Sequence, residues 1–102
     1  MSEDIKTASS LIIKDFNLEN DALPELSSIA ELRNALIKII NYLLNKDLER
    51  LLLAMYRIDI AEHKVKTVLS TSDPENISYD LAELIIQREL QKVETRKKYR
   101  SS

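Results

Sequence analysis

The sequence predicts an all-α fold: a small bundle of about four helices with an N-terminal arm. Three observations carry this expectation. Glycine is absent and only two prolines occur in 102 residues, whereas ordinary chains carry about 7% glycine, so helices joined by short polar turns are favoured. From residue 28 onward, apolar residues recur at spacings of three and four, the period of a helix with one buried face. The chain is 44% hydrophobic and 31% charged, too apolar for a disordered segment and too charged for a membrane protein. No run approaches the roughly 18 apolar residues of a bilayer-spanning helix.

Residues 1–23 read as a flexible or arm segment. Leu11, Ile12, Ile13 and Phe16 are too apolar for a solvated tail, yet their flanks are loop-like. The helical-bundle domain then spans 24–98. Ser28 and Glu31 have capping-box spacing. Ile29, Leu32, Leu36, Ile39 and Leu43 form a stripe that Ile37, Ile40 and Leu44 widen, predicting a helix that ends near Asn45. Asp47 is placed to cap the next helix. That helix carries Leu48, Leu51, Leu52, Leu53, Ala54, Met55, Tyr56 and Ile58 and is apolar nearly all round. It is therefore expected at the centre of the bundle or at a subunit interface.

Asp59 and Glu62 repeat the capping spacing, which divides residues 47–70 into two helices, the second carrying Ile60, Val65, Val68 and Leu69. Asp73 and Pro74 announce the last helix, with Ser78 as a competing start. Ile77, Leu81, Leu84 and Ile85 begin its buried side, and Ala82, Ile86, Leu90 and Val93 continue it. Residues 99–102 read as a disordered tail.

Charge is unevenly spread. Residues 1–25 hold six acids against two lysines, a balance of -4, and residues 88–102 hold six bases against two glutamates, a balance of +4. The acidic start is thus suited to lie against the basic last helix of the same chain or a neighbour. Lys92, Arg96, Lys97, Lys98 and Arg100 offer a phosphate-binding alternative, but a net charge of -2 makes nucleic acid an unfavoured partner. The start also lacks a secretory layout, which predicts a cytoplasmic protein.

Several chemistries are excluded by composition. Without cysteine there are no disulfides, thiolate metal sites or thiol nucleophiles. Without glycine there is no glycine-built phosphate loop or nucleophile elbow. Asp59, Glu62 and the single histidine, His63, have helical spacing for metal ligands, but Ile60 stands where a di-iron bundle needs glutamate. No metal, cofactor or catalytic residue is expected. The remaining polar cluster is Arg57, Asp59, Glu62 and Arg88, with Arg88 predicted to form a buried bridge to Asp59 or Glu62.

The run MYRIDIAEHKVK, followed by LAELIIQRELQKVETRKKY, resembles short all-helical bacterial proteins without an assigned biochemical role. The resemblance spans residues 32–99 and rests on Tyr56, Arg57, Asp59, Glu62, Arg88, Gln91 and Arg96. It implies no catalytic residue. The expected function is a non-enzymatic module for self-association, as a homodimer, or for docking another protein. Leu11, Ile12, Ile13, Phe16, Leu53 and Tyr56 are its candidate interface. The alternative is a small anionic ligand-binding protein or enzyme acting at Arg57, Asp59, Glu62 and Arg88.

Overall fold

The computed structural model describes residues 2–23 and 25–101, with side chains placed for 3–23 and 25–98. The order is α1 (Ser2–Asp15), α2 (Ile29–Lys46), α3 (Leu48–Ile58), α4 (Glu62–Thr71), a 3-10 turn (Pro74–Asn76) and α5 (Ile77–Ser101). The described residues contain no strand. The all-α class is therefore as expected, with five helices.

α5 is the spine. Its 25 residues make a rod about 37 Å long, close to the 41 Å longest dimension of the molecule. Leu81, Ala82, Ile85, Ile86 and Val93 are buried along it. α1, α2 and α4 pack on it, each held at two points by polar pairs. Arg33 Nε donates to Glu83 and Ser78 Oγ to Asn41, tying α2. Ser72 Oγ donates to Asp80 (2.6 Å), and Arg88 reaches Asp59 (3.2 Å) beyond the other end of α4. Lys97 pairs with Asp4 and Lys92 with Asp15 (3.4 Å), tying α1. In each case the residue numbers run in opposite directions, so α1, α2 and α4 are all antiparallel to α5. The opposite charges at the two ends of the sequence thus meet within one chain.

The N-terminal segment, expected as an arm beside about four helices, brings the number of helices to five. It is a 14-residue helix whose Ile5, Ala8, Leu11 and Ile12, with Phe16 directly after it, are buried in the common core. The spacing of Ile5, Ala8, Ile12 and Phe16 is helical, and those side chains have a ready surface in α5. The boundary expected at residue 24 falls on Pro24, outside the described residues. Leu23 and Leu26, on either side, both join the core. At the other end α5 continues to Ser101 where a disordered tail was expected; Ser102 lies outside the described residues.

The caps follow the sequence closely. Ser28 accepts from Glu31 N (3.1 Å), while the Glu31 carboxylate accepts from Ser27 N (3.2 Å) and Ser27 Oγ (2.6 Å). These donors hold its carboxyl below the usual carboxylate range. Asp47 closes α2 through its N–H to Leu43 and starts α3 by accepting from Arg50 N. In contrast, Asp59 does not start α4, whose cap is Ala61 without a side-chain bond. It ends α3 instead, at φ 68°.

Two helices end in the same way. At α1, Asn17 sits at φ 55°, with Leu18 N bonded to Ile13 O (2.9 Å) and Asn17 N to Lys14 O (3.1 Å). At α3, Ile60 N bonds to Met55 O (3.2 Å) and Asp59 N to Tyr56 O (3.0 Å). This paired pattern needs a left-handed residue, usually glycine. The chain has none, and uses Asn and Asp, the side chains that tolerate this region best. Arg50 then donates to the Phe16 and Asn17 carbonyls (3.1 and 2.8 Å), placing a cation on the α1 C-terminus. Asn17→Ala is expected to lower the unfolding free energy by about 1 kcal/mol while Asn17→Gly preserves or raises it, as read by urea denaturation.

Candidate functional site

Three features are candidates: the predicted polar cluster, a buried acid on α5, and the outer face of α3. The fold brings together two of the four predicted polar residues. Arg88 donates from Nη2 to Asp59 Oδ2 (3.2 Å), from Nε to the Asp59 carbonyl (3.2 Å) and from Nη1 to Gln91 Oε1 (3.0 Å). The bridge is to Asp59, but it lies at the surface: Asp59 is 84% exposed. Its left-handed position carries the carboxylate out of α3 and towards α5. Glu62 instead pairs with Lys66 (3.3 Å) on its own helix, and Arg57 projects into solvent. A groove of about 560 Å³ beside the bridge is lined by Lys64, Leu84, Gln87 and Arg88 among others, but by neither Arg57 nor Glu62. An anionic ligand there would compete with Asp59 for the Arg88 guanidinium. No group of three or more metal-ligating side chains occurs among the described residues.

The buried acid on α5 is Glu89. Its side chain is 0% exposed. It falls on the line that runs from Ile85 and Ile86 to Val93, so its spacing was the signal for burial, masked by its polarity. Lys92 Nζ lies 3.0 Å from Glu89 Oε1 and 3.4 Å from Asp15 Oδ2, a cation between two acids. The Lys92 approach is off the hydrogen-bonding direction, and neither Glu89 oxygen has a well-formed hydrogen bond. Burial pushes the Glu89 carboxyl up to about 7; Lys92 opposes the rise and Asp15 adds to it. Lys92 is thus spent on α1, and Lys97 is neutralised by Asp4, which the Lys97 ammonium holds below its ordinary value. The basic end of α5 is weakened as a phosphate-binding surface.

The α3 helix divides sharply. Leu51, Ala54, Met55 and Ile58 are buried, and Arg50 is half-buried over α1. Leu48, Leu52, Leu53 and Tyr56 are exposed, Tyr56 by 81% and Leu53 by 48%. α3 therefore sits at the edge of the bundle and not at its centre. A groove of about 450 Å³ continues this face towards α4, lined by Leu52, Met55, Tyr56, Ile60, Val65 and Leu69 with Glu62 and Lys66 at its rim. Of the predicted interface residues, Leu53 and Tyr56 lie on this exposed face. Leu11, Ile12 and Phe16 are buried within the chain and Ile13 is half-buried, so the N-terminal contribution goes to the core. Leu48 and Leu52 belong to the face although the sequence reading did not assign them to it. The unbroken run of apolar residues was the available signal, since a helix can turn only one side to its own bundle.

Comparison with family models, curated proteins and solved structures returns no match. No helix is long and apolar enough to cross a membrane, among the described residues.

The buried acid makes stability depend on pH. Because the folded state holds the Glu89 proton more tightly than the unfolded chain, its contribution is fully present below about pH 4.5 and is lost as pH rises through about 7. The loss is expected to reach roughly 3 kcal/mol. Glu89→Gln should flatten the decline between these limits, which denaturant melts at half-unit pH steps would register.

Proposed function

We propose that the chain is a non-enzymatic protein–protein interaction module that engages its partner through the outer face of α3. The observation carrying this reading is the exposure of Leu48, Leu52, Leu53 and Tyr56 on one arc of one helix. Large apolar side chains gathered at the surface are the ordinary mark of a contact site, whereas scattered ones are not. The outer faces of the neighbouring helices are more polar: α4 presents Glu62, His63, Lys64, Lys66, Thr67 and Ser70 with Leu69 as the single large hydrophobic among them, and α2 presents Asn34, Lys38, Asn41 and Asn45 with Tyr42 as the single large hydrophobic among them. Tyrosine is also among the residues that concentrate binding energy at contact sites.

A ligand-binding reading at Arg88 has weaker support. Its guanidinium already has three acceptors, and half of the predicted cluster lies away from it. The two readings differ in what a substitution on α3 does. In the interaction reading, a photo-crosslinking residue at position 56 gives a discrete adduct in cells, a control at Asn34 gives none, and Leu52→Glu abolishes the adduct. Leu52→Glu changes an exposed position, so the folding stability should move by no more than about 0.5 kcal/mol. Failure to form an adduct at position 56 would overturn the reading.

A further inference from the structure

We infer that the partner of the α3 face is a second copy of this chain, packed antiparallel about a two-fold axis beside Leu53; this rests on the interaction reading above. The argument comes from the arrangement of charge on the exposed arc. Glu49 and Arg57 flank Leu53 at four residues on either side, so Glu49, Leu53 and Arg57 form one ridge of the helix. Both charged side chains are exposed, and neither has an ion pair within the chain among the described residues.

A ridge reading acid, leucine, base is complementary to its own reverse. In a two-fold contact the same patch appears on both copies, so a residue meets its symmetric counterpart. With Leu53 at the axis, Glu49 of one copy lies opposite Arg57 of the other, and the pair occurs twice. A parallel contact would set Glu49 against Glu49 and Arg57 against Arg57. Moving the axis along the helix by one residue would separate the charges by two. Charge thus selects both direction and register, as it does in other helix pairs.

The apolar residues agree with this placement. Leu52 and Tyr56 lie on one flank of the ridge. An axis in the contact plane, perpendicular to the helix, keeps that flank on the same side in both copies. Tyr56 of one copy then covers Leu52 of the other, extending the contact into the groove floored by Met55, Ile60 and Val65. α3 has 11 residues and is about 16 Å long, so the contact is smaller than the roughly 800 Å² per partner of a standard interface. A weak dimer, forming in the micromolar to millimolar range, is the result.

Sedimentation equilibrium of the full chain from about 10 µM to about 1 mM tests this. The average mass is expected to rise towards that of two chains. Leu53→Glu should hold it at one. Glu49→Arg and Arg57→Glu singly should each weaken association at least about tenfold by opposing like charges twice, and the two together should restore it. Circular dichroism melts establish that the variants remain folded. A wild-type chain that stays monomeric throughout overturns the inference; an adduct with another protein at position 56 would leave the interaction reading standing. A dimer insensitive to both charge reversals, or not restored by the exchange, overturns the two-fold register.

Discussion

Leu81, Ala82, Ile85 and Ile86 occupy consecutive turns of α5 and are all buried. Two adjacent apolar stripes on one helix cannot be covered by a single neighbour, because helix contacts are limited to one ridge and its grooves. α2, tied at Ser78 and Glu83, and α4, tied at Asp80 and Arg88, flank this stretch, while α1 packs farther along α5 between Lys92 and Lys97. α2 brings Leu32, Leu36 and Ile40, and α1 brings Ile5, Ala8 and Ile12. α3 follows α2 after the single residue Asp47, so it has no freedom to cross the bundle. It lies beside α2 with one side inward and the other in water.

The polar pairs that join these helices to α5 contribute register more than strength. Exposed pairs such as Arg88 with Asp59 are worth little individually. The α1 contact is different, because Glu89 is completely buried and Asp15 and Lys92 are largely so. A stripe of Ile5, Ala8, Ile12 and Phe16 could shift by one turn along α5 and still bury much of its apolar area. Such a shift would carry Asp15 away from Lys92, its partner on α5, and leave a mostly buried carboxylate unpaired. The Asp15 pair with Lys92 therefore specifies where α1 docks, and burial beside that contact raises the affinity of Glu89 for a proton.

Much of this architecture is legible in the sequence. Ser28 with Glu31 and Asp47 with Arg50 cap helices where their spacing says they should, because capping is a local interaction. The stripe Leu32, Leu36 and Leu43 is buried for the same reason: its period survives whatever packs on it. Asp59 was misread because Asp at the end of one helix and Asp at the start of the next look alike in one dimension. Only the φ of 68° separates them. The α1 helix was hidden by Lys6, Thr7, Ser9 and Ser10, which interrupt its stripe, and by the absence of a strong cap. Glu89 was hidden by its type. In both cases the missing information was tertiary: α1 is stabilised by α5, and Glu89 is buried because α1 lies over it. The polar cluster was half legible, since Asp59 and Arg88 do meet, whereas Arg57 and Glu62 share sequence proximity with Asp59 without sharing its direction.

The same geometry accounts for the apolar outer side of α3. A helix at the edge of a bundle needs apolar residues on about half of its circumference, and α3 meets this need with Leu51, Ala54, Met55 and Ile58 alone. Leu48, Leu52, Leu53 and Tyr56 add nothing to that core. Polar residues would serve folding equally well there, as they do on the outside of α4. Nor is the pattern a consequence of an apolar composition, since 31% of the chain is charged and charged or polar side chains occupy most other described outer positions. The two charges on the arc, Glu49 and Arg57, stand on either side of Leu53, and neither forms an ion pair within the chain among the described residues. An uncovered apolar centre with unlike charges at equal distances from it is an arrangement that folding does not require and that contact with an identical helix would satisfy.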